Sequence, residues 1–372
     1  MLRKRFLMIA LLLMSAYGTF AQETPPPFFF WSGGDLYRVE PNLVPAQLTA
    51  SGTISSPVIS PDETRIAYKQ AALVGIEALD RVEAEGEIAD IDLPADIAVL
   101  DVLSGASTLI AGQPEDAALF EEGTPDNAIV RSAPAWSPDG TQLAWTEFNF
   151  GAETPRLMIH DLTEGTTSVL VPDIAMTVTQ GQAPSVRWGD NLLIVNLSAD
   201  AAGEQAYLIV SPVGTQNAAP RLAPVPDDYV LDVFPVEGAE QTYVGVFYAS
   251  GRWTLLDGRT GVGVPFRDVP HLLSRRSPEN SLRLRFDITP DMGMFWEVLD
   301  TNMAYTGDPN RVTLSPDGQA AVFLGYPDFD GAAIWSSASN AISAVPNTGD
   351  DDGELEVGAV IWGSTMWEID LP

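Results

Sequence analysis

SAPAWSPDGTQLAWTEF, Ser132 to Phe148, reads as an apolar strand, a tight turn and a second apolar strand. Ala133, Ala135 and Trp136 end the first strand. Ser137-Pro138-Asp139-Gly140 carries turn chemistry. Pro138 presets φ at the first corner, Asp139 bonds back to nearby backbone, and Gly140 accepts positive φ without a Cβ clash. Leu143 and Trp145 then share one side, with Gln142 and Ala144 on the other, the two-residue period of a strand. The unit is a β-hairpin with one apolar face.

Two further copies occur. Ser56-Pro57-Val58-Ile59-Ser60-Pro61-Asp62-Glu63 leads into Arg65-Ile66-Ala67-Tyr68, and Arg311-Val312-Thr313-Leu314-Ser315-Pro316-Asp317-Gly318 leads into Ala321-Val322-Phe323-Leu324. A lone hairpin of this kind leaves its apolar face in water, so repetition implies stacking into a propeller or solenoid. Over roughly 15 residues in each copy the pattern resembles the WD-like repeats of TolB-type β-propellers. The His and Trp-Asp signature of true WD repeats is missing. The resemblance implies a fold and leaves function open, because propellers carry many unrelated activities.

Around the hairpins the chain divides into units. Phe28–Trp31, Leu36–Val39 and Gln47–Thr49 form a half unit. Complete units start near Ser55, Ser132, Ser185, Tyr229, His271 and Arg311, and a C-terminal remainder holds Ala359–Ser364 and Met366–Ile369. Six complete units and one split unit give an all-β propeller of seven blades. Six is the alternative that the TolB resemblance implies. The ring is expected to close by pairing the N-terminal half-blade, as outer strands, with the C-terminal half-blade, as inner strands, which removes exposed edges. One domain, residues 28–372, is expected.

Met1 to Ala21 has the form of a secretory signal: Arg3, Lys4 and Arg5, an apolar run from Phe6 to Met14, and cleavage after Ala21. Residues 22–27 form a Pro-rich spacer. A secreted or periplasmic chain with no membrane insertion after cleavage is expected, as a monomer. Cysteine is absent, which excludes disulfides, thiolate metal sites and a thiol nucleophile. Asp and Glu number 51 against 19 Lys and Arg, a net charge of −32. Loss of the leader removes three more positive charges. After Lys4 the only lysine is Lys69. Such a balance excludes nucleic acid and anionic membrane surfaces as partners.

Nucleophilic catalysis finds no motif. No G-x-S-x-G elbow occurs, and the two histidines, His160 and His271, fall in strand patterns. Prolyl-peptidase-type chains add a hydrolase domain, whereas here the ring is expected to use the whole chain. A sialidase-type box would separate the Asp and Gly that are adjacent at 139 and 140, and its basic triad would fall to Arg187, Arg275 and Arg276.

A metal-dependent channel-site hydrolase or lyase, with Ca²⁺ as its ion, is the alternative function. Its ligands would come from Asp190, Asn191, Asp232, Glu237, Asp328, Asp330 or Asp350–Glu354. The last run misses EF-hand spacing, with Thr348 and Ala359 at its first and last ligand places, and reads as a solvated loop. No catalytic, cofactor or metal residue is therefore assigned.

The long inserts, Ala71–Ala95 and Gln113–Val130, fall on the propeller face opposite the S-P-D-G turns. So do Asn149–Pro155, Pro172–Gln182 and Tyr326–Ala332. Ile76, Leu79, Val82 and Glu83 suggest a short helix in the first insert, with Glu77 and Arg81 an i,i+4 pair. Function concentrates on elaborated loops over a rigid scaffold. The leading expectation is a non-enzymatic module that binds a protein, peptide or glycan there, through Phe120, Glu121, Phe148, Phe150, Asp328, Phe329 and Asp330.

Overall fold

The computed structural model describes residues 27–39, 44–85, 92–151, 154–174 and 183–189, and beyond them the strands named below with a few flanking residues. The leader lies outside the described residues. What is described is almost entirely β, arranged as successive antiparallel meanders.

The first sheet contains β1 (Phe28–Ser32), β2 (Asp35–Val39) and β3 (Pro45–Gln47), and its fourth strand is β27 (Ala359–Ile361). Phe29 pairs with Ile361 and Trp31 with Ala359, so strands from both ends of the sequence share one sheet. The second sheet runs β4 (Ile54–Ile59), β5 (Arg65–Ala71), β6 (Ala95–Asp101), β7 (Ser107–Ala111), with helix α1 (Leu73–Glu85) between β5 and β6. The third contains β8 (Ile129–Arg131), β9 (Ala135–Trp136), β10 (Gln142–Asn149), β11 (Arg156–Asp161) and β12 (Thr166–Val171). The fourth has β13 (Ser185–Trp188), β14 (Leu193–Leu197) and β15 (Ala206–Val210).

Two further meanders follow. One is β16 (Val230–Glu237), β17 (Thr242–Tyr248) and β18 (Trp253–Asp257). The other is β19 (Leu273–Arg276), β20 (Arg283–Ile288), β21 (Met294–Val298) and β22 (Ala304–Thr306). The last sheet is β23 (Val312–Leu314), β24 (Ala320–Leu324), β25 (Ala332–Ser336) and β26 (Ala341–Ala344).

One expectation needs correcting. Only β27 joins the N-terminal half unit. The final strand, β28 (Met366–Ile369), lies between β16 and β19, parallel to the first and antiparallel to the second. With β27 the first sheet already has the four strands of a full meander. In its observed place β28 covers two strand edges at once, edges that would otherwise expose unpaired backbone groups.

From the first sheet to the β16–β18 meander, successive sheets pack face to face. Ile66 and Leu100 of the second sheet meet Phe29 and Leu36 of the first. Ala67 and Val99, on the other face, meet Trp136, Leu143 and Trp145 of the third. Ala144 and Leu157 meet Val186, Leu193 and Val195. Ile194 meets Val233, Val244 and Val246. Phe28 and Phe30 of the first sheet then pack on Val322 and Ile334 of the last. Alternate residues of β1 thus serve opposite neighbours, which is why Phe28-Phe29-Phe30 is apolar without alternation.

The repeated hairpins share one hydrogen-bond pattern. Ser60 and Ser137 Oγ donate to Asp62 and Asp139 Oδ1 at 2.5 and 2.6 Å. Those serine hydroxyls accept from the amides of Arg65 and Gln142 at 3.0 and 2.9 Å. Ser315 repeats the second contact with the amide of Ala320 at 2.9 Å. Asp62 and Asp139 also bind the amide and hydroxyl of Thr64 and Thr141. The aspartates are turn formers, as their sequence context implies.

Gly140 has φ 69°, and Glu63, at the equivalent place, has φ 57°. A side chain in this left-handed region costs about 1–2 kcal/mol. Glu63→Gly is therefore expected to stabilise the chain by roughly 0.5 kcal/mol, after the greater entropy loss of glycine. Gly140→Ala is expected to destabilise it by about 1 kcal/mol. Urea denaturation of both variants checks this pair; shifts of equal sign would refute it.

Candidate functional site

β5, β6, β8, β10 and β11 all have one end toward the two inserts, and their charged residues converge there. β8 reads Ile129-Val130-Arg131, which places an arginine inside an apolar pattern. Arg131 is 3% exposed. Its Nε donates to Glu147 Oε2 at 2.9 Å, Nη1 to the Ala95 carbonyl at 2.7 Å and Nη2 to the Gly112 carbonyl at 2.9 Å. The two carbonyls lie at the end of the first insert and just before the second, so one side chain ties both to the third sheet.

Glu147, also buried, accepts from Trp145 Nε1 at 3.0 Å, and its Oε1 accepts from Arg156 Nη2 at 2.6 Å and Nε at 3.0 Å. Burial alone would raise its carboxyl. Arg131, the Trp145 N–H and Arg156 outweigh burial and hold it below its ordinary value of 4.5. Asp96 lies 3.8 Å from Arg131 Nη1. For this carboxyl burial dominates, and it is pushed above its ordinary value despite Arg131 and hydrogen bonds from Gln113. Lys69 is buried, with Nζ 3.6 Å from Asp92 Oδ1.

Gln113 completes the anchoring. Its Nε2 donates to the carbonyls of Ala95 and Ile129, and its Oε1 accepts from the Ile129 amide. Above this layer, Ala78 of α1, Leu119 and Ala128 form a small core with Val74 and Phe150 against it. The expected helix is therefore present and joined to the second insert. The side chains of Arg81, Val82 and Glu83 lie outside the described residues.

A cavity of about 520 Å³ opens beside this core. Its walls are the first turns of α1 (Leu73, Val74, Glu77), Leu109 of β7, Asp96, Gly112, and the second insert from Gln113 to Glu121. Leu73 is 70% exposed and Leu109 61% exposed. A second cavity, about 530 Å³, shares Leu109 and continues along β7 past Arg65, Asp101 and His160. His160 is buried, its Nδ1 lies 2.8 Å from Thr167 Oγ1, and desolvation lowers its pKa. It is a packed strand histidine.

The expected ligand residues divide. Phe120 is 41% exposed on the second insert, held at φ 54° while its amide donates to Asp126 Oδ1. Glu121 lines the cavity. Phe150 is half-buried and meets Phe120 edge to face at 5.3 Å. Phe148 is 3% exposed and lies behind Phe150, at 6.5 Å, so it supports the insert and offers no surface. Asp328, Phe329 and Asp330 lie outside the described residues, as do Asp190, Asn191 and Asp350–Glu354. Asp232 and Glu237 sit on β16.

Sequence reasoning passed over Leu73, Leu109 and the Arg131–Glu147 pair. A signal for the pair existed: in a chain so poor in basic residues, an arginine inside a strand pattern implies a buried acidic partner.

No protein-family model matches the chain, and no curated protein matches it. Solved structures similar to it include TolB from Acinetobacter baumannii, 15% identical over 92% of this chain and 65% of that one, with a TM-score of 0.40. The propeller domain of the trilobed protease from Pyrococcus furiosus is 11% identical over 78% of this chain and 82% of that one, with a TM-score of 0.41. Oligogalacturonate lyase from Vibrio parahaemolyticus is 11% identical over 83% and 70%, with a TM-score of 0.38. The chain thus spans less than two thirds of TolB. TolB and other β-propeller proteins do stand among the solved structures similar to this chain.

Proposed function

We propose that this is an exported, non-enzymatic binding protein built on a ring of seven blades, closed through β1 and β27. It binds a protein, peptide or glycan on the face that carries the two inserts. The supporting observation is the pair of exposed leucines, Leu73 and Leu109, that line a cavity bordered by the carbonyl-anchoring Arg131 network, with Phe120 exposed on the second insert. Exposed leucines on a well-anchored surface form an interaction site more readily than a fold requirement. They favour a protein or peptide over a glycan. The reading needs no catalytic metal.

Site-specific photo-crosslinking in the producing cell tests it. A photoreactive amino acid at Leu73 or Phe120 is expected to yield a discrete adduct, and one at Asp139, in the turns of the other face, is not. Adducts from Asp139 alone, or from none of the three, would overturn the choice of face.

A further inference from the structure

We infer that the cavity between α1, β7 and the second insert receives a basic peptide segment of a partner protein, with aliphatic side chains beside its cationic ones. The inference rests on the binding reading above and names the chemistry of the occupant. The apolar half comes from Leu73 of α1 and Leu109 of β7, both more exposed than buried, together with Val74, Ala117, Ala118 and Leu119. The lining supplies the charge: Glu77, Asp96, Glu115 and Glu121, and among the described residues no lysine, arginine or histidine.

Arg131 stands behind this wall, 3.8 Å from Asp96, and offsets that one carboxylate. Each of its three nitrogens already donates, to Glu147, Ala95 and Gly112, and it is closed off from solvent. With Asp96 so paired, Glu77, Glu115 and Glu121 carry the charge that a ligand cation would meet. A net charge of −32 draws cationic segments toward the whole molecule, and the leucines distinguish this place from the rest of an acidic surface. A polar oligosaccharide would gain nothing from the leucines, and an anionic segment would meet only like charge.

The probe is a fluorescein-labelled octapeptide of alternating lysine and leucine, read by fluorescence anisotropy against the full chain. Leu73→Ser with Leu109→Ser is expected to weaken its binding about tenfold. Glu115→Gln with Glu121→Gln is expected to weaken it about fivefold at low salt and less at high salt. Glu63→Gln with Glu164→Gln removes as much charge from the turn face and is expected to change binding by less than about twofold. Equal binding to all four proteins would mean general attraction to an acidic chain and would overturn the inference. So would a lysine–serine octapeptide or spermine that binds as tightly as the lysine–leucine probe. If the probe fails while crosslinks at Leu73 and Phe120 still capture a partner, the occupant is wrong and the face is right. If both fail, the binding reading fails with it.

Discussion

Arg131→Ala is expected to remove about 3–5 kcal/mol of folding stability, the cost of leaving a buried charge without its partner. Three losses combine. Glu147 keeps only Arg156 as a cation, and that side chain is 45% exposed. The carbonyls of Ala95 and Gly112 lose their charged donor. Asp96 loses its nearby positive charge. Urea denaturation followed by near-ultraviolet circular dichroism gives the value, and a loss below about 1 kcal/mol would show the network to be incidental. Arg131→Met with Glu147→Gln removes the charges together and is expected to cost clearly less than Arg131→Ala.

The same network sets a pH dependence. The carboxyl of Glu147 is held below 4.5 in the folded chain, so its contribution is present above 4.5 and is lost as pH falls through the lower folded value. Asp96 has the opposite sign. Its raised carboxyl favours the fold when protonated, below 3.8, and that contribution is lost as pH rises through the folded value. Glu147→Gln is therefore expected to flatten the acid side of the stability profile, whereas Asp96→Asn leaves that side in place.

Phe30→Ala is the second large effect, about 3–5 kcal/mol. Phe30 is fully buried, stacks on Tyr37 at 5.0 Å with the rings 6° from parallel, and packs with Val322 and Ile334 of the last sheet. Its truncation leaves a void between elements from the two ends of the sequence. Thermal unfolding of Phe30→Ala measures the cost. A loss under about 1 kcal/mol would mean that the first and last sheets do not depend on each other.

Much of the architecture was legible because it is local. Ser60-Pro61-Asp62 and Ser137-Pro138-Asp139 carry their turns within a few residues, and the apolar strands beside them alternate or not according to how many faces are covered. The threonines at 64 and 141 were part of the same signal and went unread. A second turn pattern was also available: Asp101 and Asp161 each cap the following residues through their carboxylates, and Gly105 and Gly165 follow four places later at positive φ. Non-local facts were not legible. Nothing near Met366–Ile369 says that this strand leaves the first sheet, since its partners lie about a hundred residues away or more. The site divided in the same way. The inserts were visible as departures from the repeat, and so was the aromatic Phe120. That Phe148 would be buried, and that Leu73 and Leu109 would line one cavity, depends on how the two inserts fold onto each other and onto the sheets beside them.

The pairing of β1 with β27 also constrains how the molecule can be made. Phe29 and Ile361 are separated by roughly 330 residues, so during synthesis β1 emerges long before the strand that covers its edge. Throughout that interval Phe28-Phe29-Phe30-Trp31 is an aromatic, uncharged strand edge of the kind that aggregates. A nascent chain of this design keeps that edge open until its last strands are made, and truncation that removes Ala359–Ile361 is expected to lower solubility while leaving the cavity residues in place.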